Sequence, residues 1–221
     1  MVQLSNRRSI RAQPPAGPAA PSPRVRLRAD ARRLQILRAA ARIFRDRGFA
    51  AAGMREIADA SEISPANLYH YFRGKDELLY FCQDRALTRL LDALAEARRG
   101  PGPLAARVRA LAVAHVRCLL DEVEGSAAHL EVDALPDPLR AAIVTKRDRY
   151  ERGVRRLIVE GASRGAFVVP DPTVATRAFL GALNWTAYWH RPEGPHTPDR
   201  LAILVADYAV AGLGIPSEAP S

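Results

Sequence analysis

The segment SPANLYHYFRGKDEL, residues 64–78, concentrates amide, phenol, imidazole, guanidinium and ammonium groups in one short stretch. An asparagine amide can bond an adenine edge through two hydrogen bonds, and a tyrosine or lysine side chain can bond a phosphate. Each of these residues alone is typical of a solvated helix face. Together, at this spacing, they favour recognition of a flat, negatively charged partner such as double-stranded DNA.

Two other groups of residues raise the question of catalysis or metal binding. His129, Glu131 and Asp133 alternate along the chain, and this spacing does not bring three ligands to one face of a helix. His115 and Cys118 are neighbours on a helix, but a third orienting group and an oxyanion site are missing. The sequence has neither a glycine-rich phosphate loop nor a glycine-flanked nucleophilic serine. We therefore predict no metal, no cofactor, no catalytic residue and no enzymatic activity.

Charge is distributed unevenly over the 221 residues, whose net charge is +9. Residues 1–29 contain six arginines and no acid, and residues 30–80 contain nine basic and seven acidic groups. Eight of the nine net charges therefore lie in the first 80 residues, which favours a polyanion bound at one end of the molecule. A solvated basic tail is the alternative reading of the same arginines.

Hydropathy sets further bounds on the chain. A hydrophobic content of 48% supports a packed core, while no apolar run approaches the roughly 18 residues that span a bilayer. The N-terminus lacks the apolar segment of a secretory signal. We expect a cytoplasmic protein with no membrane association.

Apolar residues recur with a helical period from Asp30 onward, so the expected fold class is all-α, with a small N-terminal domain and a larger helical domain. The predicted domains are a disordered basic arm at 1–29, a helix-turn-helix DNA-binding domain at 30–76, a ligand-binding and dimerisation domain at 77–215, and a flexible tail at 216–221. The predicted helices cover 31–47, 54–60, 65–72, 75–99, 104–122, 126–134, a long segment ending near 163, 171–189 and 197–212.

The short helix predicted at 65–72 has two distinct faces. Leu68 and Phe72 lie one turn apart and face inward, whereas Asn67 and His70 lie on the opposite side. A serine N-cap and a proline at the first helical position precede this face. Two short helices joined by a tight turn, the second with a polar outer face, form a helix-turn-helix pattern.

The segment IADASEISPANLYHYFRGKDEL, residues 57–78, resembles the DNA-binding signature of the TetR family of bacterial transcriptional regulators. The matching positions are Ile57, Ala58, Ile63, Ser64, Leu68, Tyr69, Tyr71, Phe72, Lys75 and Leu78, together with Phe44, Gly48 and Phe49 at the end of the first helix. Glu62 departs from the glycine usual in the turn, and a positive φ there costs roughly 1 kcal/mol. Gly53 replaces the usual hydroxyl N-cap, at a cost of about a few tenths of a kcal/mol.

The resemblance implies a homodimer that binds a palindromic DNA operator and a small-molecule effector. It assigns residues to the DNA surface: Arg55, Pro65, Ala66, Asn67, Tyr69, His70, Tyr71 and, at the phosphate backbone, Lys75. It assigns the dimer interface to the last two helices: Ala175, Ala178, Ala182, Trp185, Ile203, Ala206, Val210 and Leu213. Candidate effector-pocket residues are Leu111, His115, Cys118, Leu119, Leu130, Tyr150, Val154, Leu157, Phe179, Leu183 and Trp189.

The segment LNWTAYWHRPEG, residues 183–194, resembles a TetR subgroup that includes fatty-acid and steroid catabolism repressors, several of which respond to acyl-CoA thioesters. The sequence therefore predicts a ligand-responsive repressor that leaves its operator when a hydrophobic, acyl-CoA-like effector binds. Two alternatives remain open, a transcriptional activator and a DNA-bound scaffold that recruits a protein partner without a small-molecule ligand.

Overall fold

The computed structural model describes residues 23–121, 132–191 and 193–214, with side chains in the first range from residue 27. These residues form eight α-helices and one short 3₁₀ turn, Val132–Ala134. The α-helices are α1 Pro23–Ala51, α2 Met54–Ala60, α3 Pro65–Tyr71, α4 Lys75–Arg99, α5 Leu104–Leu120, α6 Asp137–Ser163, α7 Pro172–Trp189 and α8 Pro198–Ala211. The all-α prediction is confirmed. No helix in the described ranges is long and apolar enough to cross a membrane.

The first helix begins earlier than the sequence predicted. α1 starts at Pro23, so residues 23–29 are helical, although we had assigned them to the arm. Proline suits a first helical position because it lacks the N–H that would have no partner there, and residues 24–29 contain no glycine or proline to stop the helix. Gly48 interrupts α1 at φ 75° and ψ 159°, close to the predicted end at residue 47.

The turn between α2 and α3 is built from local hydrogen bonds. The Ile63 N–H donates to the Ala58 carbonyl at 3.1 Å, and the Glu62 N–H donates to the Asp59 carbonyl at 3.0 Å. This pair of bonds is the Schellman motif, which places its central residue in the left-handed region. Glu62 occupies that position with φ 55° and is the one non-glycine residue with positive φ in the described ranges.

The larger domain is a helical bundle in which α5 packs against α4, α7 and α8, while α4 also packs along α6. Close approach of α4 and α6 depends on Gly153, where an added Cβ would lie 2.2 Å from a Leu94 methyl carbon. The predicted helix at 126–134 falls mostly outside the described residues, and only the turn at Val132–Ala134 is seen.

α4 connects the two domains and contributes to the core of both. Near its start, Leu78, Leu79 and Cys82 are buried, and the Cys82 thiol lies 3.9 Å from the Leu37 carbonyl of α1. Two turns further on, Leu87 and Leu90 are buried in the larger domain. A displacement of α4 therefore moves buried side chains in both domains.

Candidate nucleic-acid interface and effector pocket

The outer face of α3 is held by a cap and a buried anchor. The Ser64 hydroxyl accepts a hydrogen bond from the Asn67 N–H at 3.2 Å, and Leu68 is fully buried beneath the helix. Asn67 and His70 are exposed, as is Tyr69, at 53%. α3 thus exposes an amide, a phenol and an imidazole to a partner.

The remaining DNA-surface predictions fall around this face. Pro65 and Ala66 are exposed at the start of α3, whereas Tyr71 is half-buried and packs against the core. Arg55, at the second position of α2, is exposed and has no ion-pair partner among the residues described. Its neighbour Glu56 pairs with Arg47 of α1 at 3.1 Å and so fixes α2 against α1.

Lys75 is more constrained than the sequence indicated. Its ammonium donates to the Phe49 and Ala50 carbonyls, each at 3.1 Å, and lies over the Phe49 ring. A lysine ammonium has three N–H donors. A phosphate contact by Lys75 would therefore use the donor that these two carbonyls leave.

A cavity of about 330 Å³ opens in the larger domain between α4, α5, α6 and α7. Its lining consists of Leu87, Leu90, His115, Arg147, Tyr150, Glu151, Arg177, Leu180, Gly181 and Asn184. Leu87 and Leu90 come from α4, the helix shared with the DNA-binding region, and Leu180 comes from α7. The cavity thus combines apolar walls with a few convergent polar groups, the usual composition of a small-molecule site.

A hydrogen-bonded triad forms the polar wall of the cavity. His115 Nδ1 lies 3.0 Å from the Tyr150 hydroxyl, and His115 Nε2 lies 3.0 Å from the Asn184 side-chain oxygen. Because the Asn184 oxygen can only accept, Nε2 carries the proton and Nδ1 accepts from the tyrosine. The two amide hydrogens of Asn184, which is exposed, are then available to a ligand.

Burial keeps this triad uncharged. Burial lowers the pKa of His115 to about 4, against a weaker opposing effect of the Asn184 hydrogen bond. Burial also raises the pKa of the Tyr150 phenol, as does the nearby Cys118 thiol. At neutral pH the triad therefore recognises a ligand through hydrogen bonds, and the positive charge near the cavity comes from Arg147 and Arg177.

The structure brings two of the predicted pocket residues, His115 and Tyr150, to this cavity. Leu111 lines a separate cavity near the α4–α5 turn, and Trp189 is 46% exposed at the end of α7. Leu130 lies outside the described residues. The other six are packed in the core and do not line this cavity: Cys118, Leu119, Val154, Leu157, Phe179 and Leu183.

Apart from His115 and Tyr150, the sequence analysis missed the polar groups of the cavity. Arg177, Gly181 and Asn184 follow one another at helical spacing on α7, and Arg147 lies three residues before Tyr150 on α6. A search for polar residues aligned along one face of an otherwise apolar helix would have found the α7 set. We had instead selected the large apolar residues, which fill the core.

The predicted dimer residues divide between two environments. Ala178, Ala182 and Trp185 lie on one exposed face of α7, where the Trp185 ring packs 4.6 Å from the Tyr188 ring, centroid to centroid. Ala175 and Ile203 are half-buried.

The remaining three dimer residues require a correction. Ala206, Val210 and Leu213 are buried within the protomer. The reason is that α8 packs against α5. Tyr208, on the other side of α8, is 81% exposed.

Comparison with known proteins identifies both halves of this arrangement. A family model for bacterial regulatory proteins of the tetR family matches residues 36–80. A second model, for the tetracyclin repressor-like C-terminal domain, matches residues 101–213. The first match contains α2, α3 and the start of α4, and the second contains α5 to α8.

Individual relatives agree with these family models. The transcriptional repressor KstR2 of Rhodococcus jostii is 27% identical over 194 residues, which cover 84% of this chain and 92% of the relative. The transcriptional activator FasR of Mycolicibacterium smegmatis is 36% identical over 119 residues, 54% of each chain. The structure of AibR in complex with isovaleryl coenzyme A and operator DNA superposes with a TM-score of 0.71 at 26% identity, covering 84% of this chain and 99% of AibR.

Proposed function

Because the chain belongs to the TetR family of bacterial regulatory proteins, we propose that it is a transcriptional repressor released from its operator by an acyl-coenzyme A thioester. Members of this family are ligand-responsive regulators that bind DNA as homodimers. KstR2, a repressor, is similar over most of the chain, and AibR binds isovaleryl coenzyme A. The proposed operator is chromosomal DNA, so we place the protein in the cytoplasm. We also propose that it acts by binding and not by catalysis.

The observation that carries the ligand class is the His115–Tyr150–Asn184 wall of the 330 Å³ cavity. A thioester carbonyl can accept a hydrogen bond from the free amide hydrogens of Asn184. The apolar wall formed by Leu87 and Leu90 suits an alkyl chain. The volume lies at the lower end of the range for small-molecule pockets. We therefore propose a short acyl group in this cavity.

α4 provides the path from ligand to DNA. An acyl chain against Leu87 and Leu90 favours one position of α4, and the N-terminal end of α4 follows α3 directly in the chain. Two α3 helices must lie about 34–36 Å apart to enter successive major grooves. A ligand that favours a different α4 position by roughly 4 kcal/mol lowers operator affinity a thousandfold.

The proposed domain division retains residues 30–76 for DNA binding and 77–215 for ligand binding and dimerisation, with the first helix extended back to Pro23. Dimerisation is proposed through the exposed face of α7 that carries Trp185. This surface is apolar and aromatic, which is typical of an interface core.

The experiment is a titration of the protein–operator complex followed by fluorescence anisotropy, with the operator selected from a random DNA library. Isovaleryl coenzyme A should release the DNA, whereas free coenzyme A and isovalerate should not. Asn184→Leu should weaken the response to isovaleryl coenzyme A, with Ser163→Ala, an exposed substitution at the end of α6, as its control. Operator binding that no acyl-coenzyme A changes would refute the ligand class.

An activator is the second candidate, favoured by the similarity to FasR. The DNA and effector sites would be the same, since the sign of regulation depends on where the operator lies relative to the promoter. Transcription in vitro from a promoter containing the selected operator separates the two. A rise in transcript on addition of the protein would identify an activator.

A further inference from the structure

A cleft of about 860 Å³ lies between the two domains, separate from the effector pocket. α1 forms one wall, and α4, the end of α5 and the start of α8 form the other. Five arginines line it: Arg38, Arg42, Arg45, Arg89 and Arg117. The effector pocket and the cleft share no lining residue.

The cleft arginines of α1 form a row along one face of the helix. Arg38, Arg42 and Arg45 are spaced by four and three residues, so all three lie on one helix face. Like charges at this spacing destabilise a helix by about 0.2–0.5 kcal/mol per pair. Arg45 pairs with its neighbour Asp46 at 3.3 Å, whereas Arg38 and Arg42 have no ion-pair or hydrogen-bond partner within the described ranges.

The arginines of the opposite wall are held in position by acids. Arg89 of α4 pairs with Asp121 at 2.9 Å, and Arg117 of α5 pairs with Asp199 of α8 at 2.8 Å. These are the two acids that line the cleft. Three of the five lining arginines, Arg45 included, therefore have an acidic partner. The charges of Arg38 and Arg42 remain in excess in a concave site, where the field is focused.

We propose that this cleft binds a small molecule through its phosphate groups. The planar guanidinium fork matches phosphate oxygens with two parallel hydrogen bonds. A chain of two or three phosphates can contact Arg38 and Arg42 on one wall and Arg89 or Arg117 on the other. Several linked phosphates offer more acceptor oxygens to these arginines than a single phosphate does, so the site favours a polyphosphate such as that of a nucleotide or a coenzyme.

Such a ligand joins the two domains. Arg38 and Arg42 lie in the segment matched by the DNA-binding family model, and Arg117 lies in the segment matched by the C-terminal model. Closing the cleft around a polyphosphate fixes α1 relative to α5. The cleft therefore provides a second input to operator binding, independent of which effector fills the cavity beside His115.

The test is isothermal titration calorimetry of the whole protein with inorganic tripolyphosphate, ATP and free coenzyme A. Tripolyphosphate should bind with one site per chain, and the double variant Arg38→Gln/Arg42→Gln should bind at least tenfold more weakly. Arg152→Gln, which removes an exposed α6 arginine outside the cleft, should leave binding unchanged. Tighter binding of ATP or of coenzyme A than of tripolyphosphate would identify the source of the phosphates.

Folding of the double variant is checked by its melting temperature without ligand, which should be equal to or above that of the wild type because like-charge repulsion is removed. Absence of saturable binding by all three probes would overturn the proposal. Equal binding by the wild type and the double variant would also overturn it, because the binding would then be a general property of a basic surface. The proposal would also be overturned if the double variant changed operator affinity but not polyphosphate binding, because both arginines would then contact the DNA backbone.

Discussion

The ammonium of Lys75 lies 3.1 Å from the carbonyl oxygen of Phe49 and 4.7 Å from the centroid of the Phe49 ring. This pair joins the first residue of α4 to the end of α1. Since α4 also lines the cavity proposed to bind the effector, the contact lies at the joint through which a ligand signal would reach α3. Lys75 therefore has a structural partner in addition to the phosphate contact that the family resemblance implies.

Lys75→Met should lower both stability and operator affinity. The substitution keeps the aliphatic stem and removes the charged donor, so we expect the free energy of unfolding to fall by about 1–2 kcal/mol. Urea unfolding at fixed protein concentration and operator anisotropy at several salt concentrations measure the two effects. If the slope of log affinity against log salt falls by about one while the free energy of unfolding is unchanged, Lys75 contributes only a phosphate contact.

Asn67→Ala should weaken specific DNA binding without affecting the fold. The cap of α3 uses the Asn67 backbone N–H, which alanine retains, and the Asn67 side chain is exposed. Loss of a bidentate base contact costs about 1–3 kcal/mol, or roughly 5- to 150-fold in affinity. Anisotropy with the selected operator and with unrelated DNA measures this. Equal losses on both DNAs would show that Asn67 contacts the backbone and not a base.

Glu62→Gly should stabilise the protein. Glu62 holds φ 55° in the turn between α2 and α3, and an L-residue there costs about 1 kcal/mol relative to glycine. Glycine also increases the entropy of the unfolded chain, so the expected gain is somewhat below 1 kcal/mol. Glu62→Ala is the matched control, because it removes the carboxylate and keeps the strain. A larger gain from alanine than from glycine would mean that charge, rather than φ, is the cost.

The helix-turn-helix was predictable because its signals are local. Ser64 and Pro65 fix the start of α3, and α2 was predicted at 54–60 and is observed at Met54–Ala60. Caps and breakers act through hydrogen bonds within a few residues of one another. The positive φ at Glu62 was expected instead from the family resemblance, because glycine is usual at that position of the turn.

The effector pocket was not predictable in the same way. The same holds for the dimer interface. Its position on α8 depends on the rotation of that helix against α5, and the sequence pattern of Ala206 and Val210 is equally consistent with a core or an interface. The cavity beside His115 depends on four helices meeting, so Asn184 and Arg147 come to the same cavity as His115 only after packing. Amphipathic periodicity shows that a face is buried, but not what it is buried against.

Stability should fall with decreasing pH because of His115. The folded-state pKa of about 4 lies below the unfolded value of roughly 6.5, so the unfolded chain binds more protons between these values. The His115 contribution is therefore complete above about pH 6.5 and is lost as pH falls towards 4, on the order of 3 kcal/mol in total.

His115→Gln should reduce this slope, and urea unfolding from pH 7.5 to 4.5 measures it. The glutamine can keep polar contacts to Tyr150 and Asn184 but does not titrate. His190→Gln is the comparison, because His190 is only half-buried and its pKa is also lowered, first by burial and then by Arg45. A slope in His115→Gln equal to that of the wild type would mean that other groups cause the loss.

Deletion of residues 1–22 tests the basic arm while leaving α1 intact, since the helix begins at Pro23. The deletion removes Arg7, Arg8 and Arg11. If each contacts a phosphate, the slope of log affinity against log salt should become shallower by about 0.9 per arginine, or nearly three in all. Operator anisotropy across a salt series measures this, with Arg7→Gln/Arg8→Gln/Arg11→Gln in the full chain as the matched control. An unchanged slope in both would show that the arm makes no phosphate contact. A change in the deletion alone would mean that the arm acts through something other than its arginines.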